Sequence, residues 1–176
     1  AAWLVLLVAA AILAPLLPFL QSPFEGELLE LLEPPSMAHW LGTDSLGRDI
    51  LARAVWGARV SLTVGLGSVA IGLLLGGASG RVAGYFGGRA DLAVTGAMTV
   101  ILSFPALILA IAIVSSLGPN LGNVVLAIGV LFVPAFARIA RANTLVFRER
   151  EFVVAAEALD AGLPRVLLRE ILPNLA

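Results

Sequence analysis

Long uncharged runs alternate with short polar stretches along the chain. Residues 1–20 form the first run, residues 60–80 form the second, and residues 92–137 form a third that carries no charge over 46 positions. About 20 apolar residues cross the ~30 Å hydrocarbon core of a bilayer as a helix. The first two runs therefore predict one membrane span each, and the third is long enough for two.

The turn sequence GPNLGN, residues 118–123, divides the third run. It predicts a third span over residues 92–117 and a fourth over residues 124–142. Pro105 and Pro134 fall inside these spans, where proline removes a backbone hydrogen bond and should kink the helix. The fold class predicted from this pattern is all-α, a polytopic transmembrane helical bundle.

Composition supports a membrane protein. The chain is 60% hydrophobic and 13% charged, whereas a soluble domain needs more charge to cover its surface. The 11 basic and 12 acidic residues nearly balance, which gives no indication of nucleic-acid binding. Cysteine is absent and there is one histidine, so the sequence predicts no disulfide, no cysteine-ligated metal and no multi-histidine metal site.

The arginines indicate how the spans are oriented. Eight of the 11 basic residues lie between spans two and three or after span four, namely Arg81, Arg89, Arg138, Arg141, Arg148, Arg150, Arg165 and Arg169. Because cytoplasmic loops are enriched in basic residues, this side is predicted to be cytoplasmic. The N-terminus and residues 143–174 then face the cytosol, and residues 21–59, which include the acidic stretch 25–33, are extracytoplasmic.

An amphipathic helix is predicted just before span two. Thr43 or Asp44 could cap a helix that begins near Ser45, and Asp49 would pair with Arg53 one turn later. The apolar stripe of this helix would consist of Leu46, Ile50, Ala54 and Val55. Such a helix would lie at the extracytoplasmic surface of the membrane and lead into the second span.

Two further interpretations concern the same segment. His39 and Trp40 precede the predicted helix, where interfacial anchors are expected. Asp44 and Asp49 could also form a catalytic carboxylate pair, although the sequence favours their structural roles as cap and ion-pair partner.

Glycines at helical spacing mark the second span. Gly65, Gly72, Gly76 and Gly80 include two GxxxG steps, which predict close packing against another helix. GLGSVA, residues 65–70, superficially matches a dinucleotide-binding fingerprint but lies inside an apolar span. No GxxxxGK[ST] sequence occurs, so the chain carries no P-loop for ATP.

The charged segment EFVVAAEALDAGLPRVLLREILPN, residues 151–174, contrasts with the apolar spans. Ala155 and Ala156 would let another backbone approach closely. Gly162 and the nearby proline predict a turn between two short helices, and Pro173 would end the second. The residues alone leave two interpretations open: an amphipathic loop on the lipid headgroups, or a docking element for a cytosolic partner.

This segment resembles the EAA coupling loop of permeases from binding-protein-dependent ABC importers. Its paired alanines, its Leu-Pro ending and its Glu-Phe-Val opening match that motif, whereas Asp160 stands where the loop glycine falls. The resemblance implies ATPase coupling through Glu151, Ala155, Ala156, Asp160, Gly162, Leu172 and Pro173.

The segment LGTDSLGRDILARAVWGARVSL, residues 41–62, is similar to an extracytoplasmic motif of the "C"-type permeases for dipeptides, oligopeptides and nickel. The residues of this chain that match the motif are Gly42, Thr43, Asp44, Gly47, Arg48 and Asp49. RVAGYFGG, SFPALILAIAIVSSLGPNLGN and PAFARIARANTLVFREREFV continue the match, so the resemblance covers nearly the whole chain from about residue 39.

The resemblance implies the type I permease fold of ABC importers, which has six spans. We therefore expect residues 1–176 to be an incomplete transmembrane domain with about four of them, in the bacterial inner membrane. The implied function is a translocation path for di- or oligopeptides or a related small solute.

The implied partners are a homologous permease subunit, two cytosolic ATP-binding subunits, an extracytoplasmic solute-binding protein and membrane lipid. ATP and Mg would bind the ATPase partner, so the chain itself would not be an enzyme and would hold no cofactor. Two rival functions are an ion-coupled secondary carrier or channel, and a membrane anchor or assembly protein. The spans carry no ionisable residue at mid-depth, which weighs against an ion-coupled carrier.

Overall fold

The computed structural model describes residues 2–16, 22–27, 30–150 and 153, with side chains from Val8 onward. Its regular elements are all helical in this part of the chain, which confirms the all-α fold class. They are α1 (Ala2–Leu13), a 3-10 turn (Ala14–Leu16), α2 (Ile50–Ile71), a π-helical turn (Gly72–Gly76), α3 (Gly77–Phe86), α4 (Gly88–Leu102), α5 (Ala106–Leu117) and α6 (Leu121–Phe147).

The chain divides into two compact units, Ala1–Thr63 and Val64–Ala176. The first unit contains α1, the irregular segment that precedes α2, and the first part of α2. The second unit contains the remainder of α2 and the helices α3 to α6.

By length and composition, two helical stretches of the described chain could cross a membrane: Ile50–Phe86, of 37 residues, and Leu121–Phe147, of 27 residues. They contain the predicted second and fourth spans and extend beyond both. Pro134 lies inside α6 without ending it. Helix α1 has 12 residues and gives way to the 3-10 turn that contains Pro15, so span one over residues 1–20 stays a prediction.

The predicted third span, residues 92–117, is divided in the structure. Helices α4 and α5 together are also long and apolar enough to cross a membrane, but they are bent by 91° at the break between them. Pro105 precedes α5 with an extended ψ of 127°, and proline also disfavours the helical conformation in the residue before it. The sequence therefore located the irregularity correctly but predicted a kink where the structure has a break.

A row of glycines lets α6 approach the π-helical turn and α3. A Cβ atom built at Gly72 would lie 2.6 Å from Phe132 Cβ, one at Gly76 2.4 Å from the Val133 carbonyl oxygen, and one at Gly80 2.2 Å from the Ala137 carbonyl oxygen. Side chains do not tolerate contacts this short, so these positions require glycine. The close packing predicted from the GxxxG spacing is confirmed at these three glycines.

The row differs from the prediction at both ends. Gly65 has no described atom within 4 Å of its added Cβ, so the prediction is wrong at that position. Gly84, which lies outside the predicted set, continues the row, since its Cβ would lie 2.8 Å from Thr144 Cβ. We call the contact of Gly72, Gly76, Gly80 and Gly84 with α6 the glycine seam.

Candidate functional site

The motif predicted to be extracytoplasmic, residues 41–62, begins with a tight turn before α2. Thr43 and Asp49 make an isolated antiparallel bridge, and between them the Asp44 N–H donates to the Arg48 carbonyl at 3.0 Å. Gly47 has a φ of +70°, a conformation that glycine adopts without strain. A Cβ at Gly47 would also lie 2.0 Å from the Glu27 carbonyl oxygen, so this position requires glycine for two reasons.

The Asp44 carboxylate organises this turn. One oxygen accepts hydrogen bonds from the backbone N–H groups of Leu46 at 2.8 Å and Arg48 at 3.1 Å. The other accepts from Arg48 Nε at 2.9 Å and forms an ion pair with Arg53. The side-chain hydrogen bond from Arg48 is the main reason that the pKa of Asp44 lies below its usual range, although burial acts in the opposite direction.

The Asp49 carboxylate caps α2 and joins it to the segment before it. Its Oδ1 accepts a hydrogen bond from the Ala52 N–H at 2.7 Å, which satisfies one of the free donors of the first helical turn. Its Oδ2 lies 2.9 Å from Nδ1 of His39. Because Asp44 and Asp49 each have their own set of partners, the arrangement is that of a structural turn rather than a catalytic carboxylate pair.

Three expectations for this segment are corrected by the structure. The helix begins at Ile50 and not near Ser45, and Asp49 supplies the cap predicted for Thr43 or Asp44. Arg53 forms its ion pair with Asp44 rather than with Asp49. The separate surface helix does not form, because the positive φ of Gly47 and the arginine-bound Asp44 carboxylate stabilise a turn.

Thr43 and Leu46 also differ from their predicted roles. The Thr43 hydroxyl accepts a hydrogen bond from the Glu33 N–H at 2.8 Å and donates to the Glu30 carbonyl, so it joins two parts of the segment instead of capping a helix. Leu46, predicted for the apolar stripe of a surface helix, lies in the turn with its side chain exposed.

His39 is buried at the centre of this segment, with 4% of its surface exposed. Nδ1 faces Asp49, and Nε2 lies 3.0 Å from Oε2 of Glu30. The prediction of an interfacial anchor is therefore wrong for His39, whereas Trp40 is exposed. Among the described residues, no cluster of three acidic or histidine side chains is arranged to hold a metal ion.

A second polar site joins α4 to α6 in the other unit. Arg141 Nη2 lies 2.6 Å from Oδ2 of Asp91, and Arg141 Nε donates to the other oxygen of the same carboxylate. Arg148 Nη1 donates to the Gly84 carbonyl at 3.3 Å. Two arginines near the end of α6 therefore contact neighbouring helices, Arg141 the start of α4 and Arg148 the end of α3.

In the sequence these arginines indicate orientation, and their spacing from Asp91 does not predict the ion pair. One signal was available, because Asp91 is the only acidic residue between Asp49 and Glu149. A lone carboxylate in so long an apolar stretch is expected to have a basic partner.

A cavity of about 290 Å³ lies beside this ion pair, between α4 and α6. Its lining combines apolar side chains with two threonines and two arginines, and consists of Val94, Thr95, Met98, Thr99, Leu102, Pro134, Ala137, Arg138 and Arg141. The threonine hydroxyls donate to carbonyls of their own helix. Because Arg141 is paired with Asp91, Arg138 is the lining arginine that adds a positive charge to this largely apolar cavity.

The residues predicted to couple to an ATPase lie outside the described part of the chain. This applies to Glu151, Ala155, Ala156, Asp160, Gly162, Leu172 and Pro173. Within that stretch the structure describes only Val153, which is buried and donates its N–H to the Arg150 carbonyl at 3.0 Å. The coupling role of the segment stays a prediction.

Comparison with known proteins identifies related chains. Residues 68–176 match the family described as "Binding-protein-dependent transport system inner membrane component". The glutathione transport system permease protein GsiD of Pectobacterium atrosepticum is 44% identical over 144 residues, which make up 82% of this chain and 48% of the relative. The dipeptide transport system permease protein DppC of Alkalihalophilus pseudofirmus is 43% identical over 164 residues, covering 93% of this chain and 54% of the relative.

A GsiD protein of Shigella dysenteriae is 40% identical over 178 aligned positions, covering 99% of this chain and 57% of the relative. The chain thus spans about half the length of the curated relatives it matches. The family match covers more than half of the chain and includes the glycine seam and the Asp91–Arg141 ion pair. The chain belongs to the family of inner membrane components of binding-protein-dependent transport systems.

Proposed function

We propose that the chain is part of a permease subunit of an ATP-driven ABC importer and forms part of a translocation path for di- or oligopeptides or a related small solute. The observation that carries this proposal is the family match over residues 68–176 together with about 40% identity to permeases named for glutathione and dipeptide transport. The protein would cross the bacterial inner membrane several times with its N-terminus in the cytosol.

The proposed importer contains a homologous permease subunit, two cytosolic ATP-binding subunits and an extracytoplasmic solute-binding protein. ATP hydrolysis, with its Mg, takes place on the ATP-binding subunits, and this chain contributes transport and coupling. The absence of a GxxxxGK[ST] sequence from the chain is consistent with this division of labour.

The arrangement at the end of α6 supports coupling through residues 151–173. Helix α6 ends at Phe147, four residues before the predicted loop, and Arg148 joins that end to the Gly84 carbonyl of α3. Because the glycine seam holds α3 and α6 in close contact, a displacement of the loop would move both helices together. Closely packed elements transmit small displacements without absorbing them in flexible side chains.

The coupling role can be tested with the full-length permease expressed together with its neighbouring genes. Ala156→Asp places a charge in a close, desolvated contact and should strongly reduce the amount of ATP-binding subunit that co-purifies in detergent. Asp160→Gly restores the residue found in the coupling motif and should leave co-purification unchanged or increased. Equal recovery with wild type and Ala156→Asp would contradict the assignment of this loop as the ATPase contact.

A further inference from the structure

His39 has a carboxylate at each of its two ring nitrogens. Asp49 Oδ2 lies 2.9 Å from Nδ1, and Glu30 Oε2 lies 3.0 Å from Nε2. A neutral imidazole carries one N–H and so donates to one carboxylate, whereas an imidazolium donates to both. With a carboxylate oxygen at hydrogen-bond distance from each ring nitrogen, an imidazolium would donate to both side chains at once.

The charged groups that act on the His39 ring in the described residues are Asp49 and Glu30. Glu25 and Glu27 are further acidic residues that line the same cavity of about 450 Å³ as Glu30 and the histidine. The neighbouring arginines, Arg48 and Arg53, are engaged by Asp44 instead. Negative surroundings favour the charged form of the imidazole.

The two carboxylates belong to different parts of the chain. Glu30 lies in the irregular segment after α1, whereas Asp49 caps the first turn of α2 through the Ala52 N–H. We propose that protonated His39 is a proton-dependent clamp that holds the Glu30 segment to the start of α2 and releases one of the two carboxylates when the proton is lost.

The direction of the pH dependence follows from the environment of the imidazole. The hydrogen bond with Asp49 raises the pKa of His39 above its ordinary value of 6.5, burial lowers it, and Glu30 raises it further, with a net increase. A group whose pKa is raised on folding contributes its full stabilisation below its unfolded pKa. The clamp is thus complete below about pH 6.5 and is lost as the pH rises through the higher pKa of the folded segment.

Hydrogen exchange of the full-length permease in lipid nanodiscs tests this clamp. Backbone exchange in peptides covering residues 30–53 is measured from pH 5.5 to 9.5 and corrected for the intrinsic effect of pH on the chemical rate. Wild type should show one step to faster exchange, with its midpoint above pH 6.5. Across the step the corrected exchange rate should rise about tenfold for each unit of difference between two pKa values of His39, that in the folded segment and that in the opened segment.

Three variants separate the clamp from a general effect of pH. His39→Gln should abolish the step, because glutamine does not titrate. Glu30→Gln keeps the Asp49 cap and should lower the midpoint, because one anionic partner is removed. Glu33→Gln makes the same charge change in an exposed side chain of the same segment and should leave the midpoint unchanged.

The clamp is contradicted by the absence of a step in wild type, or by a step that persists in His39→Gln. It is also contradicted if Glu30→Gln and Glu33→Gln have the same midpoint. If His39→Gln exchanges rapidly at every pH because the segment has opened, the Glu30→Gln midpoint still decides the question, since Glu30 is half-buried and does not cap the helix.

Discussion

The segment before α2, residues 30–49, and the glycine seam are stabilised by opposite means. In the segment, charged and polar side chains of Asp44, Asp49 and His39 bond to the backbone and to one another. In the seam, contact depends on the absence of side chains. Carbonyl oxygens of α6 lie 2.4 Å and 2.2 Å from the positions that Cβ atoms of Gly76 and Gly80 would occupy.

The difference reflects where backbone hydrogen bonds are made. The described residues of the segment, 30–49, form no regular helix, so side chains must satisfy backbone groups that helices satisfy internally. Helices of a membrane bundle satisfy their backbone hydrogen bonds internally. Because lipid tails are as apolar as the helix surfaces, moving an apolar helix face from lipid to another helix gains little hydrophobic free energy. Close approach through small residues is then the main source of attraction in the seam.

The largest effect is expected from Gly80→Ala. The added Cβ would lie 2.2 Å from the Ala137 carbonyl oxygen, so α3 and α6 must move apart, and overpacking of this kind costs about 3 kcal/mol or more. Equilibrium unfolding of the full-length permease in mixed micelles measures the loss. The matched control is Gly65→Ala, which should change stability by less than about 1 kcal/mol because no described atom is near. Equal destabilisation by the two changes would contradict the packing role of the seam.

A smaller loss is expected from Asp49→Ala. The change removes the cap of α2, which contributes about 1 kcal/mol, and one of the two hydrogen bonds of the buried His39, which contributes about 1.5 kcal/mol when a partner is charged. The cost should appear as faster hydrogen exchange in residues 39–53 rather than as global unfolding. Glu33→Ala, at an exposed position of the same unit, is the control, and an equal effect of both would show that Asp49 has no special role.

The smallest effect is expected from Ser68→Ala. The buried Ser68 hydroxyl donates to the Val125 carbonyl of α6 at 3.0 Å, and such hydrogen bonds between membrane helices contribute about 0.6 kcal/mol on average. Ser79→Ala serves as the control, because Ser79 donates to carbonyls on its own helical run, those of Leu75 and Gly76. Unfolding of the two variants under the same conditions should show a larger loss for Ser68→Ala. A loss above about 2 kcal/mol would mean that polar contacts, and not only close packing, hold this pair of helices.

The sequence predicted the seam better than the segment before α2. A GxxxG spacing reports directly on a helix face, and Gly72, Gly76 and Gly80 pack as that spacing indicates. The same spacing does not show which end of the glycine row contacts another helix. The predicted row therefore contains Gly65 and lacks Gly84. Contact at either end depends on where the second helix runs.

Partners of the polar side chains in the segment could not be read from sequence spacing. The separation of Asp49 and Arg53 suits an ion pair within a helix, yet Arg53 bonds to Asp44 across the turn. The bond between His39 and Asp49 spans ten residues of irregular chain. Such contacts depend on the path of the backbone, which here follows from the positive φ of Gly47.

The most direct test of the proposed function is solute uptake into proteoliposomes that contain the full-length permease and its co-purified partners. We expect uptake of a labelled dipeptide or glutathione that requires ATP on the side of the ATP-binding subunits and solute-binding protein on the other side. Loss of uptake with Ala156→Asp would connect that requirement to the coupling loop. Uptake by the permease alone, driven by an ion gradient without ATP, would contradict its role in an ATP-driven importer and establish an ion-coupled carrier instead.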